Sequence, residues 1–442
     1  MTRSVRTGRP AQAVRPLTAA GRAARPHRRA APDVEEAAMY PSPGHPPAGQ
    51  VPQAEVRRHN LSVVLRRVHT AGAVSRSELT RAAGVNRSTT AALVAALARA
   101  GLVREEIPRT HRSAGRPSPM VLPVPERAQV IALEVGVERI RAERVGLGGT
   151  VLAERTLLSP SDGPASCAQT VARLADLVES LGEPAADGGS CTGIGIAVPG
   201  LVRRADGLVR FAPNLEWRDE PLAAALADRL APPWSQAPIA VGNDADLGAL
   251  GEHARGAARG YDDFVYISAN VGVGGGLFCG GRPVPGQRGY AGEIGHMIVN
   301  PRGRQCRCGA RGCWETEIGT DVITEAAGLR VAPDHSLHGV VEAAAAGDER
   351  ALRALDDAAK WLAIGLGNLA AVLSPRLVIF GGGLQDIYEA TFDQIELYSA
   401  TTGLARSRAP YTHRRSALAH RAPLVGAAEL ALAPLLDDPL GR

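Results

Sequence analysis

Four side chains near position 300 have the types and spacing needed to hold a metal ion. His296, Cys306, Cys308 and Cys313 put one imidazole and three thiols inside the segment 292–315, GEIGHMIVNPRGRQCRCGARGCWE. Such a set suits a tetrahedral Cys3His zinc site. The C-x-C pair is too close for an easy mutual disulfide, and the glycines of the 309–312 loop let the backbone fold back so that Cys313 reaches the same ion. Because protein fills all four positions, zinc is expected to be structural rather than an activator of water. Glu293 and Glu315 flank the thiols. Carboxylates beside a closed metal site predict a polar pocket built against a structural staple. His296 is expected to give one ring nitrogen to the metal and the other to whatever the carboxylates bind.

The chain that must position these groups has 442 residues, enough for two or three domains. With 45% hydrophobic residues and no apolar run of bilayer length, it is expected to be soluble. The amino terminus lacks the compact apolar core and cleavage site of a secretory signal. Six cysteines, three of them in one metal-like cluster, fit a reducing cytoplasm better than a disulfide framework. Net charge is only +5, but arginines crowd the first 52 positions. Positive charge at one end favours a nucleic-acid partner, although a solvated tail of this composition often has no specific one. Residues 1–53, rich in Ala, Arg and Pro, bury too little apolar surface to offset ordering entropy and are expected to be disordered.

Residues 54–125 read as a separate module. Leu61, Val64, Leu65 and Val68 fall at i, i+3, i+4, i+7, an apolar stripe on a first helix. Ser75-Arg76-Ser77-Glu78 is a capping box opening a second helix that stops at Gly84, and Asn86 can cap a third carrying Leu93, Val94 and Leu97. Two short helices joined by a Gly-containing turn are the helix-turn-helix signature. The third helix opens with Arg87, Ser88 and Thr89, residues suited to a major groove. Strands over 102–106 and 120–124 bracket a loop with Arg109, His111, Arg112 and Arg116, a basic wing whose tip is suited to a phosphate or the minor groove. A helical protein-interaction module is the plainer alternative. Polar residues opening the third helix, together with the basic wing, favour double-stranded operator DNA as partner.

Beyond 126 the periodicity changes. Strands are expected over 130–135, 143–147 paired with 150–155 across Gly148-Gly149, 192–198, 239–241, 264–268 and 377–380, with helices over 221–230, 246–255 and 349–373. Alternating strands and helices predict an α/β architecture. No short repeat is visible, though two related halves would not show at this level.

Asn243-Asp244, G-E-x-G-H at 292–296 and C-x-C-G-x-x-G-C-x-E at 306–315 together resemble the ROK family of repressors, open reading frames and sugar kinases, in particular its xylose-repressor-like members with an N-terminal winged helix. The resemblance, from about 54 to the C-terminus, implies an actin-like, ribonuclease-H-like fold of two α/β lobes over 126–442, with a sugar site in the cleft. It implies that Asn214, Asn243, Asp244, Glu293, His296 and Glu315 contact sugar hydroxyls, and that Asp244 stands where the kinases carry their general base. It also implies a cytoplasmic homodimer or dimer of dimers. The helices over 246–255 and 351–373 are the candidates for its interface.

The nucleotide side departs from the family. Kinases begin with D-x-G-G-T, and here the strand end reads Glu134-Val135-Gly136-Val137-Glu138. Val137 adds a β-branched side chain where backbone must approach phosphate, and Glu138 adds a carboxylate where phosphate would sit. Two unit charges about 4 Å apart repel by roughly 4 kcal/mol at an effective dielectric near 20. The loop 270–276 has Val271 where kinases usually carry threonine, while glycines 381–383 persist. The expectation is therefore a regulator that binds a sugar without phosphorylating it. An active hexokinase-type kinase with an accessory DNA-binding domain is the alternative, and a scaffold binding neither would leave both motifs without purpose.

Overall fold

The computed structural model of the protein describes residues 52–107, 119–159, 163–182, 189–331, 336–400 and 411–441. The arginine-rich segment up to position 51 lies outside the described residues, as do the expected wing residues Arg109, His111, Arg112 and Arg116.

Helix α1 (Gln53–Ala71) buries the stripe Leu61, Val64, Leu65 and Val68. Strand β1 (Val74–Ser75) runs straight into α2 (Arg76–Ala83). The Ser75 side chain accepts from the Glu78 N–H while the Glu78 carboxylate accepts from the Ser75 N–H at 3.0 Å, the reciprocal box expected. Gly84, at φ +63°, ends α2 in the left-handed conformation. Asn86 then caps α3 (Arg87–Arg99), accepting from the Thr89 N–H at 2.8 Å. Strands β2 (Val103–Glu106) and β3 (Met120–Pro123) pair antiparallel, with Val103 opposite Pro123. β1 adds to the other edge of β3, a strand too short for alternation to reveal in the sequence.

The next stretch forms a meander of β4 (Ala128–Val135), β5 (Arg139–Gly146) and β6 (Thr150–Leu158). Helix α4 (Cys167–Ser180) leads to β7 (Ser190–Val198), parallel to β4. A small sheet of β8 (Leu201–Arg203), β9 (Leu208–Ala212) and β10 (Trp217–Glu220), then α5 (Leu222–Arg229), precede β11 (Ile239–Asn243), parallel to β7, and α6 (Asp244–Arg255). The order is β11-β7-β4-β5-β6.

The remainder repeats the plan. Strands β12 (Phe264–Ala269), β13 (Val273–Cys279) and β14 (Arg282–Pro283) pair antiparallel. Helices α7 (Glu315–Ile318), α8 (Thr320–Ala326), α9 (His338–Ala345) and α10 (Glu349–Leu373) intervene before β15 (Leu377–Gly382) joins β12 in parallel. Helix α11 (Leu384–Ser399), β16 (Thr412–Arg415) and α12 (Ala422–Asp437) follow, giving β14-β13-β12-β15-β16. In each five-stranded sheet an antiparallel meander is extended, beyond its first strand, by two parallel strands. This duplicated topology is the actin-like, ribonuclease-H-like fold.

Helix α12 returns to the first sheet. Gly195 of β7 makes room for it, since a Cβ there would stand 2.0 Å from the Ala427 carbonyl oxygen. One continuous apolar core then unites Leu65, Leu93 and Leu97 of the first three helices with Val130 and Ala132 of β4, Leu247 of α6 and Leu424 and Leu432 of α12. No residue of α6 is exposed, its residues being buried or half-buried. Among the described residues, no helix is long and apolar enough to cross a membrane.

Candidate functional site

The site is seeded where β11 becomes α6. Asn243 is the N-cap: its Oδ1 accepts from the N–H groups of Ala245 and Asp246 at 2.8 and 3.1 Å, and its Nδ2 donates to the Gly200 carbonyl at 3.0 Å. One amide N–H remains for a ligand. Asp244 follows as the first helical residue, so the helix begins two residues earlier than its apolar pattern indicates. A cavity of about 380 Å³ opens here, lined by Asn214, Asn243, Asp244, Glu293, His296 and Glu315, the full set named by the resemblance. Its size lies in the range of roughly 300–1,000 Å³ usual for small-molecule sites.

Burial controls the carboxyls. It raises Asp244 above the ordinary aspartate value, although the Ala245 N–H, donating at 2.9 Å, partly offsets the shift. Burial also raises Glu293, more than the attraction of His296 lowers it, and pushes Asp246 up to about 7 against the pull of Arg204. Burial that favours the protonated form of a carboxyl leaves it able to donate as well as accept, which suits a neutral polyol better than a strong anion or cation.

At the cavity edge the ligand atoms of His296, Cys306, Cys308 and Cys313 all lie within 4.8 Å of one another. Cys308 Sγ is 3.6 Å from Cys313 Sγ, and Cys306 Sγ is 3.7 Å from His296 Nδ1. These separations match the edges, about 3.5–3.8 Å, of a tetrahedron with metal–ligand distances near 2.0–2.3 Å. The cluster can therefore hold a metal ion. His296 has Nδ1 3.7 Å from Cys306 Sγ and 3.5 Å from Glu315 Oε1, while Nε2 lies 3.8 Å from Glu293 Oε2. Glu315 bridges the two regions, lining the cavity while its Oε1 accepts from the Cys306 thiol at 2.8 Å. The loop is anchored by Trp314, fully buried with its Nε1 donating to the Trp361 carbonyl at 2.9 Å.

The nucleotide side differs from the expectation in one respect. Glu134 to Val137 line the cavity, but Glu138 is not among the lining residues, because the β4–β5 turn closes with the Gly136 N–H donating to Arg139 O at 2.9 Å. On this side of the cavity the acidic residue in the lining is Glu134. Arg141, directly opposite on β5, forms an ion pair with it and also donates to the His420 carbonyl. Burial nevertheless pushes Glu134 up to about 7, Arg141 pulling it down and Asp244 pushing it up. Gly381 makes room for a buried ring, since a Cβ there would stand 2.3 Å from the Tyr266 hydroxyl.

Three residues escaped the sequence reading. Arg307 lines the cavity and donates to Asn214 Oδ1 at 2.9 Å, and its position between two metal-ligand cysteines was the available signal. Arg141 and Asp246 gave none, because their roles come from cross-strand pairing and from burial. On α3, Arg87 and Ser88 are exposed and Thr89 is half-buried. Ser88 Oγ donates to the cap Asn86 Oδ1 at 2.7 Å.

Fold and site together define a two-lobed protein of sugar-kinase-like architecture with a His/Cys cluster able to hold a metal ion at its cleft. The chain belongs to the ROK family, whose pattern matches residues 130–433. It is similar to the xylose repressor of Bacillus subtilis (strain 168), 26% identical over 386 residues that span 87% of this chain and 98% of that protein. Among solved structures, the ROK family glucokinase from Streptomyces griseus in complex with glucose and AMPPNP is 31% identical with a TM-score of 0.57, covering 69% of this chain and 99% of that one. A ROK family transcriptional regulator, a homologue of the E. coli MLC protein, shares the fold at 23% identity and a TM-score of 0.70, covering 87% of this chain and 98% of that one.

Proposed function

We propose that the protein is a DNA-binding transcriptional regulator, a repressor, whose cavity binds a sugar or sugar derivative without phosphorylating it. The observation that carries this reading is the asymmetry of the cleft. The groups suited to a polyol converge on the cavity, while Glu134, at the position suited to magnesium, is committed to Arg141. In this reading Glu293 and Glu315 accept sugar hydroxyls, the free N–H of Asn243 donates, and Asn214 is oriented by Arg307. Asp244 is a vestigial base that receives a hydroxyl with no phosphoryl group beside it. His296, Cys306, Cys308 and Cys313 would hold zinc, which when bound cross-links the loop and keeps Glu293 and Glu315 on one rim.

Residues 54–125 form the DNA-binding module and 126–442 the effector domain of a cytoplasmic homodimer. Arg87, Ser88 and Thr89 open the helix that lies in the major groove, and Arg112 and Arg116 reach the backbone or minor groove. Similarity to a xylose repressor along nearly its whole length supports the reading. The test is to select duplexes from a randomised pool and titrate the winner by fluorescence anisotropy with pentoses, hexoses, amino sugars and their phosphates. At least one should change DNA affinity about 5- to 150-fold. Affinity indifferent to the whole panel sinks the proposal.

Similarity to a glucokinase favours a second reading, an ATP-dependent sugar kinase with an accessory DNA-binding module. Sugar-dependent ADP release that disappears in Asp244→Asn would establish it.

A further inference from the structure

One helix joins the cavity to the helix-turn-helix. α6 starts at the cavity with Asn243 and Asp244 and ends in Arg255, about 16 Å away at 1.5 Å per residue. The Arg255 guanidinium is spent on three other elements. Its Nε donates to Glu429 Oε1 of α12 at 2.6 Å and Nη1 to the Gly148 carbonyl in the β5–β6 turn at 2.9 Å, while Nη2 lies against α1, 2.6 Å from His69 Nε2 and donating to the His69 carbonyl at 3.3 Å. The ring of His69 is fully buried. The Gly148 N–H donates to its Nδ1 at 2.9 Å, so Nδ1 carries the lone pair and Nε2 the proton. That proton goes to Glu429, whose Oε2 lies 3.0 Å away. Burial pushes the Glu429 carboxyl up, but His69 and Arg255 more than offset it and leave it below the usual range, as an anion.

The elements that meet here are interlocked. A Cβ on Gly149 would stand 2.3 Å from Arg255 Cζ, so the Gly148-Gly149 turn also provides clearance for this side chain. Along α6 and α12 the backbones touch: a Cβ on Gly251 would stand 2.5 Å from the Ala422 oxygen, and one on Gly426 would stand 1.8 Å from the Leu247 oxygen. With no exposed residue and backbone contact to its neighbour, α6 cannot shift at its cavity end without moving α12 or the node at Arg255. α1, which carries His69, shares its core with α2 and α3.

We propose that Arg255, His69 and Glu429 are a latch through which occupancy of the cavity repositions the DNA-binding helices. This rests on the regulator reading above and adds the route of coupling. Ligand at the Asn243–Asp244 end displaces α6, Arg255 changes its register against His69 and the Gly148 turn, and α1 carries α3 with it. These are positioning residues, touching neither sugar nor DNA.

The test uses the full chain, the selected duplex and the sugar panel. Arg255→Met removes the donor shared by all partners, and Glu429→Gln keeps shape and an acceptor in case the first variant does not fold. Arg66→Ala, which removes an exposed pair with Asp437 on the same two helices, is the control. Both latch variants should bind sugar with wild-type affinity by calorimetry, yet the sugar-dependent change in DNA affinity should fall at least fivefold. Sugar should alter amide exchange at the C-terminal end of α1 in wild type and Arg66→Ala but not in the latch variants. If wild type and latch variants respond equally, the latch is overturned and the regulator reading stands. If wild-type DNA affinity ignores the whole panel, the regulator reading fails and the latch with it.

Discussion

Asp246 sits in the first turn of α6 beneath Gly292, whose Cβ, if present, would stand 3.5 Å from its Oδ1. Burial pushes its carboxyl from 3.8 up to about 7. Folding therefore favours the protonated form, and the stability it contributes, fully present below the unfolded value, is lost as pH rises through the folded one. Asp246→Asn keeps the shape and removes the ionisation. Its stability relative to wild type should rise by roughly 1–3 kcal/mol between pH 5 and pH 8 in urea unfolding. Parallel pH profiles for the two proteins would contradict the burial argument. The contrast with Asn243, three residues earlier, shows what a sequence discloses at this scale. An Asn before an apolar helical stretch announces a cap by itself. The environment of Asp246 depends on Arg204 and on the glycine above it, both distant in sequence. Arg141 was hidden for the same reason, since its partner is set by strand register.

The metal loop was legible as an element because its geometry is local. Gly309 and Gly312 were expected to let the chain fold back, and their φ values are +96° and +74°. Gly312 has a second constraint, since a Cβ would stand 1.6 Å from the Asn300 oxygen, while the Gly312 oxygen accepts from Val299 and Asn300 at 3.0 and 3.2 Å. Gly312→Ala combines left-handed strain with a backbone collision. It should cost more than about 2 kcal/mol and lower bound metal well below the wild-type content, as read by plasma emission after dialysis against a weak chelator. Full metal content in that variant would show that the loop does not need this turn. Other elements were legible in proportion to their periodicity. The stripe of α1 and the caps of α2 and α3 gave them away. α12, APLVGAAELALAPLLD, is apolar nearly all round because it is covered on most sides, and a helix without a polar face has no period to read.

At the scale of the whole molecule, the duplicated sheet order was invisible because equal topology does not require equal sequence. The more consequential surprise is that the first three helices are not tethered to the two-lobed remainder of the chain as a bead on a string. Leu65, Leu93 and Leu97 share one core with Val130, Leu247 and Leu432. A module that borrows its core from a neighbour should not unfold alone. Leu432 is fully buried on α12, and Leu432→Ala removes side-chain volume from both sides of that boundary, costing about 2–5 kcal/mol. Native-state hydrogen exchange is the decisive measurement. Amides of α3 and of β4 should lose protection together and by similar amounts in the variant. Were α3 to exchange as in wild type while β4 weakened, the two would be independent cooperative units. The proposed coupling between the cavity and α1–α3 would then have to run through something other than a common core.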